Sequence, residues 1–391
     1  NYGQRMTVFG VQTKENGAMR FFRATGNATI HKTMAAALGA ALCVIAGPAV
    51  AVDRVYYVAA EEVAWNYAPQ ERNVMMGSPF GKDENIFVAQ SQTTIGSTYV
   101  KAVYRRYTDA SFTTLLPRPG KWAHLGYLGP VFHAQVGDVI KVHFKNKVGR
   151  PYSMHPHGVF YDKASEGAPY ADGTGGKDKA DDAVPPGGSH TYVWPVPERA
   201  GPGPSDPSSI AWLYHSHTNS IRDSNAGLVG AIVVTAKDRA RPDGSPRDVD
   251  REFVTLFTVT NENESWYLDR NIDTYTDAKR VDPDDEDFQE SNLMHGINGY
   301  LYGHLPGLEM KKGERSRWYT FALGTEVDLH TPHWHGNTGL LAGQRVDVID
   351  LLPASQKVVD MIPDNAGVWM FHCHVNDHIA AGMTALYRVT E

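Results

Sequence analysis

Short apolar runs alternate with Gly, Pro and Asp clusters along residues 53–391. The clearest runs are RVYYVAAEEVAW (54–65), DVIKVHFKN (138–146), HTYVWPV (190–196) and LVGAIVVTA (228–236). Val, Tyr, Phe and Thr favour strands, and runs of this length between turn residues are typical of antiparallel sandwiches. Few stretches have the period of an amphipathic helix, so the pattern predicts an all-β fold.

An internal repeat divides the chain. HPHG at 155–158 corresponds to HWHG at 333–336, and YHSHTNSIRDSNAGLVGAIVV from residue 214 corresponds to FHCHVNDHIAAGMTALYRV from residue 371. Residues 238–252 are polar, charged and broken by Pro and Gly, as in a linker. We therefore expect two Greek-key sandwich domains, at 52–237 and 253–391. An insert at 163–210 separates the first-half motifs and either covers a site or interface, or is a solvated loop.

Residues 1–51 have the order of a secretory leader. Basic residues precede the apolar run TMAAALGAALCVIAGPAVAVD, and small residues close it at Ala51. This order predicts an N-terminal extension with a signal peptide, and a secreted or periplasmic protein. A signal anchor is the alternative, and translation starting at Met19 would explain the first 18 residues.

Charge and cysteine content restrict the function. The chain has 37 basic and 44 acidic residues; leaving out positions 1–51 gives 32 against 43, a net charge of −11. This balance argues against nucleic acid or an anionic membrane as partner. The two cysteines are Cys43, in the leader, and Cys373. A single cysteine in an oxidising compartment is a packed hydrophobe, an intermolecular link or a metal ligand.

The segment HCHVNDHIAAGM, residues 372–383, indicates a copper site. Successive strand side chains point to opposite faces, so Cys373 projects away from its histidine neighbours. Cys373, His378 and Met383 have the order of a blue-copper loop, in which thiolate and imidazole bind strongly and a thioether weakly. The missing histidine is predicted to be His330, in HTPHWHG. The alternative is that Cys373 and Met383 are core residues and that His378 is a capped loop histidine.

Eight further histidines form four HxH pairs. They exceed the four ligands that one zinc takes, and buried imidazoles without metal would each need a hydrogen-bond partner. The set therefore fits a cluster of three metals; its members are His155, His157, His215, His217, His333, His335, His372 and His374. We interpret the histidines outside these motifs as ordinary surface or core residues, namely His31, His124, His133, His143, His190 and His304.

With these motifs the chain resembles the multicopper oxidases. The second half is similar to the ceruloplasmin and hephaestin branch in WYLDRNIDTYTD, DDEDFQESNLMHGINGYLYG, EVDLHTPHWHG and HCHVNDHIAAGM. The first half is similar in RVYYVAAEEVAWNYAP and YTDASFTTL. The resemblance covers nearly all of residues 53–391 and implies cupredoxin-like sandwiches.

The resemblance also implies four coppers per chain and the role of each ligand. A type 1 copper would be held by His330, Cys373, His378 and Met383. A type 2 copper would be held by His155 and His333. A type 3 pair would be held by His157, His215, His217, His335, His372 and His374. The implied catalytic path runs from type 1 through Cys373 to His372 and His374, where dioxygen is reduced to water.

The first half has lost its type 1 site, because the repeats align Tyr152 with His330, Ser216 with Cys373 and Leu228 with Met383. The chain thus resembles a two-domain laccase, in which clusters form between subunits of a homotrimer. Two alternatives are a copper nitrite reductase and a non-catalytic copper-binding protein. A nitrite reductase carries type 1 in its first domain and needs only three histidines for type 2. A copper-binding protein would not turn over dioxygen.

The reducing substrate is a phenol or aromatic amine, as in laccases, or ferrous iron or cuprous copper. Glu290, His295 and Asp377 match positions that handle ferrous iron in ceruloplasmin-like proteins. Carboxylates beside an exposed copper histidine would bind a hard cation. Acidic residues are also plentiful in VDPDDEDFQE, where they could simply solvate a loop, and Asp377 could instead accept a phenol proton.

Overall fold

A computed structural model describes residues 51–391. The predicted leader, including Cys43 and His31, lies outside the described residues except for its last position, Ala51. The described part is mostly strands joined by turns and short helices, as the apolar pattern predicts.

Two sheets form the first half. Their strands are β1 (Asp53–Asn66), β2 (Thr98–Tyr107), β3 (Phe132–Gln135), β4 (Val139–Asn146), β5 (His155–Pro156), β6 (Ser189–Pro195), β7 (Ser209–His215) and β8 (Val229–Thr235). One sheet has the order β2-β1-β4-β6 and the other β3-β8-β7-β5. Each of the four apolar runs quoted above forms a strand, namely β1, β4, β6 and β8. Strand β6 lies inside the 163–210 insert, so this part of the insert belongs to the sandwich.

Two further sheets form the second half. Their strands are β9 (Arg251–Asn261), β10 (Leu293–Ile297), β11 (Glu309–Lys311), β12 (Ser316–Ala322), β13 (Pro332–Trp334), β14 (Gly339–Leu341), β15 (Gln344–Val346), β16 (Gln356–Met361), β17 (Gly367–Cys373) and β18 (Thr384–Thr390). The orders are β10-β9-β12-β16-β14-β15 and β11-β18-β17-β13. Parallel and antiparallel pairings in the sheet β11-β18-β17-β13 repeat those in β3-β8-β7-β5. The internal sequence repeat is therefore also a structural repeat.

Short helices and turns connect the strands. The helices are α1 (Asn85–Val88), α2 (Ser220–Ala226), α3 (Leu268–Tyr275), α4 (Glu286–Ser291) and α5 (Asn376–Ala380). Helix α2 is capped at its start by the Asn219 side chain and ends at Gly227, whose φ of 115° suits glycine. Within residues 51–391, no helix has both the length and the apolar character needed to cross a membrane.

Apolar side chains form a core in each sandwich and a third core between them. Strand β7 shows how this arises, because Tyr214 packs into the first sandwich whereas Leu213 faces the second. Val254 of β9 meets this outer face, while Phe253 points into the second sandwich. A strand that is buried on both faces needs apolar residues at successive positions. This explains the continuous apolar run LVGAIVVTA, which forms β8. Both sandwiches are thus fixed to each other along one apolar interface.

Residues 238–250, within the predicted linker, contain turns and an isolated bridge between Ala240 and Pro246. Arg241 donates to the carbonyls of Arg247 and Val249, which closes this segment on itself. Strand β9 begins immediately afterwards, at Arg251.

Candidate metal centres

Three buried side chains meet at the predicted blue-copper loop. Cys373 ends β17, His378 lies on α5, and His330 is held to Leu351 by an isolated bridge. The Cys373 Sγ atom is 3.8 Å from Nδ1 of His330 and 3.5 Å from Nδ1 of His378. The two Nδ1 atoms are 3.1 Å apart. A thiol and two imidazole nitrogens facing one point are the donor set that copper prefers.

Met383 closes the loop behind this group. Its backbone carbonyl accepts from Cys373 N at 3.1 Å, and its N–H donates to the His378 carbonyl at 2.8 Å. The Met383 side chain is fully buried in the core of the second sandwich.

The surroundings prepare Cys373 and His330 as ligands. Burial alone would raise the pKa of the Cys373 thiol, but hydrogen bonds from His330, His378 and two backbone N–H groups lower this pKa to about 6. Asp328 accepts a hydrogen bond from Nε2 of His330 at 3.2 Å, which holds the ring with its Nδ1 atom directed at Sγ. Burial is the largest single influence on His330 and lowers its pKa, but the hydrogen bonds to Asp328 and Cys373 and the charges of these two groups together outweigh burial, so the pKa of His330 is raised.

Sequence reasoning missed Asp328. Its side chain is buried and also accepts from the backbone N–H groups of Val259 at 2.6 Å and Thr325 at 2.8 Å. A carboxylate that fixes the tautomer of a ligating histidine is common around metals. In the sequence, Asp328 is marked only by its position two residues before the candidate ligand His330. Aspartates are too frequent for this position to be diagnostic.

A group of four imidazoles lies next to the Cys373, His330 and His378 group, because β17 carries both His372 and Cys373. Strand β13 pairs with β17 so that His333 is opposite His372. Nε2 of His335 is 3.0 Å from Nε2 of His372, and the His333 and His374 ring centroids are 5.3 Å apart. His372 donates from Nδ1 to the Cys373 carbonyl at 2.6 Å, which leaves its Nε2 as an acceptor. Nδ1 of His333 is buried without a hydrogen-bond partner.

The first sandwich repeats this arrangement with its own four histidines. Strand β5 pairs with β7 so that His155 is opposite His215, and the ring centroids of His155 and His217 are 5.2 Å apart. Nε2 of His157 is 3.2 Å from Nε2 of His215. His215 donates from Nδ1 to the Ser216 carbonyl at 2.9 Å, as His372 does to Cys373. We call the two groups of four imidazoles the first and second half-sites.

Both half-sites favour neutral imidazole, the form that binds metal. Burial, followed by neighbouring histidines, lowers the pKa of His157 to about 4 and of His215 to about 3. In the second half-site burial lowers the pKa of His372 to about 4. Nε2 of His215 and Nε2 of His372 are acceptors, and each faces the Nε2 atom of a second imidazole, as two ligands of one cation do. The residues therefore fit copper.

The 163–210 insert contacts the first half-site. Nδ1 of His155 donates to the Glu166 carbonyl at 2.6 Å, so the insert fixes the tautomer of this histidine. The Glu166 side chain is itself held by Lys163 and Tyr170. This part of the insert therefore lies against the candidate site and is not simply a solvated loop. The sequence analysis did not single out Glu166.

The two half-sites do not meet within the described chain. Ring contacts link His155, His157, His215 and His217 to one another, and separately link His333, His335, His372 and His374. Among residues 51–391, no ring contact or hydrogen bond joins a histidine of one set to one of the other.

The predicted substrate residues are only partly brought together. His295, on β10, is nearly buried, and its ring centroid is 5.3 Å from that of His378. Asp377 is exposed on α5, next to His378 in the chain. Glu290 is exposed near the end of α4, and its carboxylate makes no hydrogen bond within the described residues. Phe87 packs against His295 at 5.5 Å between ring centroids.

The described histidines outside the motifs have other partners. His124 accepts from the Val254 N–H at 3.1 Å, and His133 contacts Glu252 at 3.2 Å. The remaining three bond to oxygen atoms, in the pairs His143–Thr191, His190–Ala164 and His304–Leu301.

Comparison with protein families identifies the class. Models described as "Multicopper oxidase" match residues 122–239 and 271–391. The chain therefore belongs to the multicopper oxidase family, and its sandwiches are cupredoxin-like. Two solved structures share this fold: multicopper oxidase mgLAC, at TM-score 0.55 and 19% identity, and the blue copper oxidase of Nitrosomonas europaea, at TM-score 0.53 and 16% identity. Each comparison covers 86% of both chains.

Individual relatives are more similar in sequence. The chain is 47% identical to ferroxidase HEPHL1 of Mus musculus over 343 residues, covering 87% of this chain and 29% of that protein. It is 46% identical to hephaestin of Homo sapiens, covering 86% and 29%, and 40% identical to ceruloplasmin of Homo sapiens, covering 90% and 33%. The chain thus spans about a third or less of the length of these relatives.

Proposed function

We propose that the protein oxidises a reducing substrate one electron at a time and couples four such steps to the reduction of dioxygen. Four electrons and four protons convert one dioxygen to two waters. The observation that carries this proposal is strand β17, because Cys373 contributes to one donor group while His372 contributes to another. Copper bound at these groups supplies the one-electron redox chemistry.

The ligand assignment follows the resemblance to other multicopper oxidases. Type 1 copper would be held by His330, Cys373, His378 and Met383. Type 2 copper would be held by His155 and His333, and the type 3 pair by His157, His215, His217, His335, His372 and His374. Facing Nε2 atoms in the pairs His157–His215 and His335–His372 support the type 3 assignment.

Residues of the chain would prepare each step. Asp328 holds His330 in the tautomer that presents Nδ1, and the lowered pKa of Cys373 favours the thiolate. The Cys373 backbone leads directly to His372 and His374. A hydrogen bond from His372 Nδ1 to the Cys373 carbonyl adds a second, shorter connection.

Ferrous iron is the substrate that we favour. His295 lies beside His378, Asp377 adjoins His378, and the relatives include proteins named ferroxidase. Carboxylate and imidazole ligands would bind the cation and favour its more highly charged oxidised form. Oxidation of a phenol is the second candidate, since Asp377 is exposed and could accept the phenol proton.

Assembly is part of the proposal because each half-site offers only four of eight histidines. We propose that the half-sites meet between subunits of a homotrimer, with domain one at 52–237 and domain two at 253–391. The relatives are about three times as long, so further domains of a longer chain are the alternative source of the missing half. The proposed signal peptide in residues 1–51 would direct the protein to a secreted or periplasmic location.

Steady-state oxygen uptake by copper-loaded protein tests the function, with ferrous iron, cuprous copper and a dimethoxyphenol compared side by side. We predict that Cys373→Ser abolishes both the blue thiolate absorption and oxygen uptake while the cluster keeps most of its copper. A serine hydroxyl is a poor copper ligand and interrupts the electron path. A Cys373→Ser protein that consumed oxygen at the parent rate would exclude the type 1 assignment. No uptake by the parent with any reductant would favour a copper-binding protein.

A further inference from the structure

The first sandwich contains a position that corresponds to the type 1 group. Thr331 N–H donates to Cys373 Sγ at 3.4 Å, and Ser153 N–H donates to Ser216 Oγ at 3.1 Å. Bridges place His330 opposite Leu351 and Tyr152 opposite Val184 in the same way. These backbone bonds support the alignment of Ser216 with Cys373 and of Tyr152 with His330.

The same bonds identify the counterpart of His378, which the sequence alignment left open. Met383 N–H donates to the His378 carbonyl, and Leu228 N–H donates to the Asp223 carbonyl at 3.2 Å. Cys373 N–H donates to the Met383 carbonyl, and Ser216 N–H donates to the Leu228 carbonyl, each at 3.1 Å. The copper ligands of the second sandwich are therefore replaced in the first by buried residues, in the order Tyr152, Ser216, Asp223 and Leu228.

Asp223 joins the parts of this pocket. Its Oδ2 atom accepts from Ser216 Oγ at 2.6 Å and from Asn219 N at 2.9 Å. Its Oδ1 atom accepts from Trp266 Nε1 at 2.9 Å. The carboxylate is 1% exposed, so each bond forms away from water, where losing it is costly. Asp223 thus ties the end of β7 to α2 and to a residue that follows β9.

Helix α2 is also held from its other side. Asn225 accepts from Asn261 N through its side chain at 3.0 Å, and its backbone carbonyl accepts from Lys101 Nζ at 2.7 Å. The Trp266 ring lies under the Arg222 guanidinium, 4.7 Å from the ring centroid, and Arg150 lies 4.4 Å from the same centroid. The loop that carries the HSH motif is therefore anchored to the second sandwich.

We propose that Asp223 is a positioning residue that replaces a metal ion in the first sandwich. In the second sandwich, bound copper would hold the loop from Cys373 to Met383. In the first, the Ser216–Asp223–Trp266 hydrogen bonds hold the corresponding loop from Ser216 to Leu228. They thereby fix His215 and His217, which flank Ser216, in the orientation that the first half-site requires. This inference rests on the proposed copper cluster for its functional consequence, but not for the loop contacts.

Asp223→Ala tests the inference with two readouts. In metal-free protein, amide hydrogen exchange in peptides covering residues 217–228 is expected to accelerate, while peptides covering 367–383 remain unchanged. In copper-loaded protein, cluster copper is expected to bind roughly 10- to 100-fold more weakly, as for other losses around metal ligands. The blue absorption should persist, because its ligands lie in the other sandwich. Asp273→Ala, at an exposed carboxylate on α3, is the matched control.

Two milder variants keep the test decisive if Asp223→Ala does not fold. Asp223→Asn preserves an acceptor for Ser216 and Asn219, and Ser216→Ala removes a single bond; both should lie between the parent and Asp223→Ala. Unchanged exchange would overturn the inference, and so would faster exchange with full copper binding. A parent that holds blue copper but no cluster copper would reject the proposed cluster. The exchange data would then still decide whether Asp223 holds the loop.

Discussion

At the scale of single residues, the Asp328 carboxylate and the Glu166 carbonyl orient two of the candidate copper ligands, His330 and His155. Cys373, His378 and Met383 follow one another in a loop whose order is itself informative, and His330 was inferred from the motif beside it. Asp328 and Glu166 act through the orientation of a carboxylate or a carbonyl toward a histidine. Such contacts depend on the folded backbone, so no residue pattern announces them.

Substrate choice can be tested at the same scale. We predict that Glu290→Ala and Asp377→Ala raise KM for ferrous iron much more than KM for a neutral phenol. Each loses a charge-assisted ligand, at a cost of roughly 1.5 to 3 kcal/mol of binding, which is about tenfold or more in KM. Oxygen uptake over a range of each reductant measures both constants.

The control for this pair is Asp364→Ala, at an exposed carboxylate between β16 and β17. Equal increases of KM for iron and phenol would mean that Glu290 and Asp377 only support the type 1 loop. The ferroxidase reading should then be dropped in favour of phenol oxidation.

At the scale of elements, the apolar pattern predicts the strands because every second side chain of a strand points to the same face of the sheet, and a buried face requires apolar residues there. Strand β17 carries alternate residues to two donor groups, as its HCH motif indicates. The counterpart of His378 was harder to find, since the segment from Ser216 to Leu228 is two residues longer than the segment from Cys373 to Met383. The match with Asp223 is visible only in backbone hydrogen bonds. The contact between Glu166 of the insert and His155 of the first half-site could not be predicted from the sequence either.

His124 couples two elements and predicts a pH effect. It lies in the 3-10 turn Gly120–Leu125, and its Nε2 accepts from Val254 N in β9. Burial, with smaller effects of Arg251 and Arg118, lowers the pKa of His124 to about 3. The unfolded chain, at a pKa near 6.5, takes up a proton that the folded chain refuses. Stability should therefore fall as the pH falls from about 6.5 toward 3, by up to about 1.4 kcal/mol per unit.

Urea unfolding of metal-free parent and His124→Gln between pH 7 and 4 measures this effect. Glutamine can accept the same hydrogen bond but does not titrate in this range. The difference in unfolding free energy between the two proteins should shrink or reverse toward acid pH. Parallel pH profiles would show that His124 does not contribute to acid sensitivity.

At the scale of the whole molecule, a buried ion pair joins the two sandwiches. Lys101 of β2 donates to Glu262, which follows β9, at 2.5 Å, and both side chains are fully buried. Tyr67 also donates to the Glu262 carboxylate, at 2.6 Å. We predict that Lys101→Met destabilises the protein by about 3 to 5 kcal/mol, because it leaves an unpaired buried carboxylate. Thermal unfolding would detect it, and Lys101→Met/Glu262→Gln should recover much of the loss.

The separation of the half-sites leads to the last prediction. His215 and His217 lie in the first half-site, His372 and His374 in the second, and the two do not meet within the described chain. If the cluster forms between subunits, copper that binds only the assembled trimer also stabilises that trimer. A closed ring of three subunits would then form three clusters, each at a head-to-tail contact.

Mixing two inactive variants tests this arrangement. One variant carries His215→Ala and His217→Ala, and the other carries His372→Ala and His374→Ala. Mixed trimers would place an intact first half-site of one subunit beside an intact second half-site of another, and part of the oxygen uptake should return. The rescued cluster would receive electrons from Cys373, which adjoins the intact His372 and His374 in the same chain. Subunit exchange must be demonstrated separately, with differently tagged chains. Proven exchange without any recovery, or a fully active monomer in analytical ultracentrifugation, would place both halves of the cluster within one chain.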